Sequence, residues 1–142
     1  MAAQPQDVPH SRKRSALVVE DDPDVRGLVA SMLRALGLEV AEVSEGRSAI
    51  LHLAVHQCPD LVVLDLMLPE LSGYDVCEYM RGEAKLRTVP ILIMSARALP
   101  QDRAYAEQVG ASSYLVKPFK QKAFKAAVGA LLVSSAAEEG HP

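Results

Sequence analysis

Short apolar runs alternate along the chain with stretches whose apolar residues recur every three or four positions. The first run, Ala16 to Val19, closes on Glu20 and Asp21. Behind it Val25, Leu28, Val29, Met32, Leu33 and Leu36 share one face of an amphipathic helix. Asp22 stands where an N-cap belongs, Pro23 at the first helical position, and Gly37 where a left-handed residue ends a helix. Leu38 to Val43 alternates with period two, the pattern of a strand exposed on one face, and Ser44 is expected to cap a second helix over Gly46 to Val55. Leu61 to Asp65 is a third strand, and Ser72 to Asp75 has the spacing of a capping box at the start of a third helix. Val89 to Ser95 is a fourth strand. Pro100 opens a fourth helix, which Gly110 ends. Ser113 to Lys117 is the fifth strand. Phe119 to about Val133 is the last helix, with Phe124, Ala127, Val128, Leu131 and Leu132 on one face.

Five strand–helix pairs result. Strands one, three, four and five are nearly continuous apolar runs, as helices on both faces of a parallel sheet require. The expected fold is α/β, a doubly wound five-stranded parallel sheet with five helices. A chain of 142 residues suits one such domain. It is expected over 14–134, between flexible tails at 1–13 and 135–142. Arg12, Lys13 and Arg14 form a short basic cluster read as a solubilising arm.

Composition narrows the options. A net charge of −3 gives no support to a nucleic-acid-binding surface, so no direct nucleic-acid contact is expected. The start of the chain lacks the apolar core of a secretory signal, and no run approaches the roughly 20 apolar residues that span a bilayer. Cys58 and Cys77 have no paired spacing and read as reduced packing residues in a cytoplasmic protein.

Ligands of open parallel sheets bind outside the carboxyl ends of the strands. The first polar residues after the apolar runs are Glu20-Asp21, Asp65, Ser95 and Lys117. A carboxylate delivered by a buried strand needs a partner, because desolvation is costly. Here Asp65 meets two further acids and a lysine. Two like charges about 4 Å apart repel by on the order of 1 kcal/mol in water and up to about 4 in a protein-like dielectric. Lys117 offsets part of that, and a hard divalent cation such as Mg²⁺ relieves the rest while keeping waters for a phosphate-bearing ligand. Aspartate can attack phosphorus to form an acyl phosphate, with the lysine and cation stabilising the transferring oxygens.

The segments "LVVEDDPDVR", "VVLDLMLPELSGYDV", "PILIMSARA" and "GASSYLVKPF" resemble, in order and spacing, the four signature segments of bacterial response-regulator receiver domains. The likeness spans residues 15–133 and implies a flavodoxin-like receiver fold. By that resemblance Asp65 is the phospho-acceptor for a histidine kinase or phosphotransfer protein. Glu20 and Asp21 hold Mg²⁺ with Asp65 and the backbone carbonyl of Met67. Ser95 and Lys117 contact the phosphoryl oxygens. Tyr114 is the switch aromatic that turns inward as Ser95 moves, remodelling the helix 4–strand 5–helix 5 face that meets a downstream protein partner. The Lys117-Pro118 bond is expected to be cis. Monomer or phosphorylation-dependent homodimer, and no membrane attachment, complete the expectation.

Departures from the pattern also carry expectations. Glu20 stands where Asp is frequent, and its extra methylene would let it reach the metal through water. Ser95 replaces the commoner Thr. Lysines 120, 122 and 125 crowd the start of the last helix against its dipole, which reads as a solvated face, the alternative being a patch that faces a partner. Met67 and Arg97, two beyond the acceptor and two beyond the hydroxyl, would hinder an attacking water and lengthen the life of the mark.

Other residues read as structural. Asp22 and Asp24 serve the helix start, Asp60 lies at the opposite edge of the sheet from Asp65, and Gly73 serves the turn into the third helix. His52 and His56, one turn apart, lack an evident third ligand. A rival function, a phosphatase of the haloacid dehalogenase type, needs a second acid two residues past the nucleophile, where Met67 stands. A flavin or mononucleotide binder needs a Gly-rich phosphate loop where "EDDPD" stands. The reading is therefore a regulatory domain rather than an enzyme, beyond its own phosphorylation and dephosphorylation. A stand-alone receiver is expected, the alternative being a fragment of a larger transcription factor or hybrid kinase.

Overall fold

In the computed structural model, residues 13–139 are described, and the expected tail at 1–13 lies almost wholly outside them. The elements run β1 (Ser15–Val19), α1 (Pro23–Ala35), β2 (Glu39–Val43), α2 (Gly46–Val55), β3 (Leu61–Asp65), α3 (Gly73–Gly82), β4 (Ile91–Ser95), α4 (Pro100–Gln108), β5 (Ser113–Val116) and α5 (Gln121–Glu139). All five strands are parallel, in the order β2-β1-β3-β4-β5. The order reverses direction between β1 and β3, which opens a crevice at their carboxyl ends.

Strand alternation splits the core into two layers. Leu17, Val19, Val62, Leu64, Ile91 and Ile93 face Ala49 and Leu53 of α2 and Val76, Cys77 and Met80 of α3. Ala16, Val18, Leu61, Val63, Leu92 and Met94 face Val29, Met32 and Leu33 of α1 and Phe124 and Val128 of α5. With both faces covered, β1, β3 and β4 are buried along nearly their whole length. The fifth strand is an equally apolar run, yet it is only half-buried throughout, because it ends the sheet.

Most predicted boundaries hold. Asp22 caps α1, its carboxylate accepting the amides of Asp24 and Val25, and Gly37 follows the helix at φ 94°. Ser72 and Asp75 form the reciprocal box at the start of α3. The expected Ser44 cap is corrected: Glu45 occupies the N-cap of α2 and makes no side-chain cap bond. That start is set by tertiary contact instead. A Cβ on Gly46 would lie 2.5 Å from the Leu71 carbonyl oxygen, so only glycine lets the helix approach the β3–α3 loop. The last helix continues to Glu139, past its expected end near Val133.

Arg81, near the end of α3, ties the amino-terminal side of the sheet together. It donates to the carbonyls of Gly110 (2.9 Å), Leu86 (3.3 Å), Arg87 (2.9 Å) and Val89 (2.8 Å) and reaches Ser112 Oγ at 3.4 Å. Asp60, before β3, accepts the Ser15 amide at 2.9 Å on that same side, away from Asp65 as expected.

Candidate phosphoryl site at the carboxyl ends of the strands

Strand register explains how residues far apart in the chain meet. Val19 pairs with Leu64, Asp65 with Met94, and Ser95 with Val116. Glu20, Asp65, Ser95 and Lys117 therefore end neighbouring strands at nearly one level. Backbone bonds lock the ends: the Glu20 amide donates to the Val43 carbonyl (3.1 Å), Leu66 to Met94 (3.1 Å) and Lys117 to Ser95 (2.7 Å). Arg26 of α1 donates to the Glu20 carbonyl at 2.9 Å, fixing the first turn after β1.

Glu20 (1% exposed), Asp65 (5%) and Ser95 (0%) are buried polar side chains, an environment tolerated only with partners. Lys117 Nζ lies 2.7 Å from Glu20 Oε1 and 3.3 Å from Asp65 Oδ2. The other oxygens are engaged by backbone, Glu20 Oε2 by the Asp22 amide (3.1 Å) and Asp65 Oδ1 by the Met67 amide (3.1 Å). Carboxylate oxygens of Glu20, Asp21 and Asp65 all lie within 4.8 Å of one another, with Asp21 exposed at the mouth. One lysine against three acids leaves a negative excess, and the open side is toward solvent. Such a hard-oxygen set fits a cation of the Mg²⁺ type.

The electrostatics carry the same strain. Burial pushes the Glu20 carboxyl above its ordinary range, more than the Lys117 hydrogen bond and the Asp22 amide pull it down, and the Asp65 charge adds to the rise. For Lys117 burial acts downward, yet the Glu20 hydrogen bond and the charges of Asp65 and Glu20 together outweigh it, so its proton is held more tightly than usual. A cation here would compete for the same oxygens that now hold the ammonium.

Gly73 has a part that its role in the turn did not reveal. A Cβ there would sit 2.5 Å from the Asp65 carbonyl oxygen and 2.9 Å from Leu66 Cα. The first turn of α3 thus presses directly on the backbone that carries Asp65, and the Gly73 amide donates to the Leu66 carbonyl at 3.0 Å.

On the far side of Ser95 the β4–α4 loop forms a hub. The Arg97 amide donates to Ser95 Oγ (3.1 Å), and its carbonyl accepts the Tyr114 hydroxyl (3.0 Å). Its guanidinium donates to Asp102 Oδ1 (2.9 Å). The half-buried Tyr114 ring also lies under the Arg103 guanidinium, 5.1 Å from its centroid. Asp102 is 5% exposed and went unnoticed in the sequence, where an acid in the first turn of a helix reads as ordinary capping. The Lys117-Pro118 bond is cis, and Met67 lies two residues past Asp65 with its side chain in solvent.

Elsewhere, the His52 and His56 rings stack at 4.1 Å between centroids. Burial pushes the Cys77 thiol up to about 12. Lysines 120, 122 and 125 are exposed. No helix among the described residues is long and apolar enough to cross a membrane.

Comparison with known proteins gives the family. Residues 16–129 match the response regulator receiver domain model, and the chain belongs to that family. It is 40% identical over 124 residues to the alkaline phosphatase synthesis transcriptional regulatory protein SphR of Synechococcus elongatus, covering 82% of this chain and 48% of SphR. Among solved structures it resembles the receiver domain of a sensor histidine kinase of Pseudomonas aeruginosa PAO1, which has a magnesium ion coordinated in its active-site cleft. Identity there is 34%, with 85% of this chain and 98% of the other covered and a TM-score of 0.77. It also resembles the Vibrio cholerae chemotaxis protein CheY4, at 25% identity, 85% and 100% coverage and a TM-score of 0.80. The five-stranded receiver fold and the two-component family assignment expected from the sequence are thus established. The chain spans about half the length of the curated relatives it matches. Because those relatives are named as transcriptional regulators, the expectation of no nucleic-acid contact finds no support.

Proposed function

We propose that the chain is a phosphorylation-controlled signalling switch with Asp65 as its acceptor. The observation that carries this reading is the convergence of Asp65, Glu20, Asp21 and Lys117 in one partly open, acid-rich crevice. An Asp65 oxygen forms a bond to phosphorus as the bond from phosphorus to an imidazole nitrogen of a histidine kinase or phosphotransfer protein breaks. The imidazole keeps the electron pair and takes up a proton. Lys117 and the Ser95 hydroxyl hold the transferring oxygens, and the Met67 amide keeps Asp65 oriented. Glu20, Asp21, Asp65 and the Met67 carbonyl would hold Mg²⁺, which supplies charge neutralisation for the phosphoryl group.

The signal leaves through α4, β5 and α5. Ser95 is joined to this face by the Arg97 amide and Tyr114 by the Arg97 carbonyl, so a shift of the hydroxyl toward a phosphoryl group pulls on the ring. The helix has little to resist this, since Ala106 is its only buried apolar residue among those described. The protein itself is regulatory, with turnover limited to its own phosphorylation and hydrolysis. The names of the longer relatives favour a transcriptional output for the switch, and the crevice favours no substrate beyond the phosphoryl donor.

The test is the intact-protein mass after incubation with acetyl phosphate, with and without Mg²⁺. A Mg²⁺-dependent gain of one phosphate in the native chain and none in Asp65→Asn is expected. Equal labelling of Asp65→Asn would sink the assignment.

A further inference from the structure

The β4–α4 loop holds a cation that the phosphoryl-binding residues do not account for. The Asp102 carboxylate is fixed: its side chain is 6% exposed, Oδ2 accepts the Leu99 amide at 3.2 Å, and Oδ1 accepts Arg97 Nε at 2.9 Å. Its partner is not fixed. The Arg97 side chain is 52% exposed, and its other visible contact is Met67 Sδ at 4.0 Å from Nη1. Met67 in turn donates its amide to Asp65 Oδ1, while the Arg97 amide sits on Ser95 Oγ. The guanidinium thus stands beside the loops that carry both Asp65 and Ser95, tied to a buried anion on the outer side.

We infer that Asp102 is a positioning residue for the phosphoryl site, a latch that keeps Arg97 from the phosphoryl group until the charge there outcompetes it. This rests on the acceptor reading given above. The acyl phosphate carries close to two negative charges where the Asp65 carboxylate carried one, and it offers strong acceptor oxygens that a guanidinium is suited to bind in a fork. Because the anion is held and the cation is half in water, the pair exchanges by movement of Arg97 alone. Its departure leaves Asp102 charged and buried at the first turn of α4, with only the Leu99 amide as partner, and that turn must loosen to admit water. The state of Asp65 is thereby reported to α4 through a choice between two anions.

The experiment follows the initial rate of Asp65 labelling against acetyl phosphate concentration, with Mg²⁺, in the native chain, Asp102→Asn, Arg97→Ala and the double variant. Asp102→Asn removes the competing charge. It is expected to lower the half-saturating donor concentration about three- to fivefold, the worth of a partly exposed ion pair. The change should disappear when Arg97→Ala is already present. An equal shift in both backgrounds, or no shift in either, overturns the latch. A native chain that takes no phosphate on Asp65 overturns the acceptor reading instead, so the two failures are distinct. If Asp102→Asn does not fold, amide exchange in the first turn of α4 decides. Phosphorylation of the native chain should speed it severalfold, and Arg97→Ala should show the faster exchange without phosphate. Slow exchange in both cases counts against the latch.

Discussion

The two ends of the sheet handle buried charge in opposite ways. On the amino-terminal side, the Arg81 guanidinium is surrounded by four carbonyl oxygens and a hydroxyl, and Asp60 accepts a strand amide. Arg81 gathers neutral backbone carbonyls and Asp60 takes a strand amide, contacts that knit loops to strands. On the carboxyl side, Glu20, Asp65 and Asp21 face one another with Lys117 as the single cation paired with them among the described residues. Buried ion clusters of that sort are weak sources of stability, since desolvation offsets their attraction. One end therefore serves cohesion, and the other holds an imbalance that a cation and a phosphoryl group can relieve.

The layer between the ends gives the largest expected effect. Cys77 lies in the core of α3, one turn from Arg81, and burial raises its thiol to about 12 from an ordinary 9.0. A raised thiol contributes fully below the unfolded value and loses that contribution as pH rises toward the folded one. The unfolded chain then releases a proton that the folded chain retains. Stability should fall by roughly 1.4 kcal/mol per pH unit above about 9, up to about 4 kcal/mol, and Cys77→Ala should remove that slope in urea melts taken across the alkaline range.

Arg81→Ala comes next. It strips several part-buried carbonyls of a charged donor and should cost about 2 kcal/mol, read as a lower urea midpoint with unchanged slope. Labelling of Asp65 per folded molecule should persist, because the amino-terminal side does not touch the crevice. If labelling collapses while the fold survives, the separation between the two ends is false.

The reverse holds at the crevice. Asp65→Asn should abolish phosphate uptake yet raise stability by about 1 kcal/mol in the absence of divalent cations, as one of three repelling acids is neutralised. Adding Mg²⁺ should close the gap by stabilising the native chain more than the variant, by about 1.4 kcal/mol at a concentration tenfold above its dissociation constant. Thermal melts of both proteins with and without Mg²⁺ make the measurement. A native chain indifferent to Mg²⁺ would contradict the metal assignment.

Much of this could be read before any coordinates. The apolar run from Leu61 to Asp65 and the helical spacing from Val25 to Leu36 are local signals, because strand and helix periods are written into neighbouring residues. The polar residues that end strands one, three, four and five were legible for the same reason, and a parallel sheet places strand ends side by side. Ser44 misled because a capping residue is a local preference, whereas the start of α2 answers to the approach of Gly46 to Leu71. Asp102 was missed because nothing in Pro100-Gln101-Asp102 distinguishes a buried acid bound to Arg97 from an exposed one that caps a helix.

By itself, then, the sequence determined the order and type of the elements, the family, and which side chains reach the carboxyl edge, since each depends on periodicity or on a residue's place at the end of a run. Only the tertiary structure decided who pairs with whom: Lys117 with both Glu20 and Asp65, Arg97 with Asp102, Arg81 with carbonyls from two loops, Gly73 against the backbone of Asp65. The pairings of Lys117 join segments dozens of residues apart, and the shorter ones, such as Arg97 with Asp102, depend on how a loop folds back on a helix. Strand register and helix docking set such contacts, and neither is encoded in any short stretch of chain.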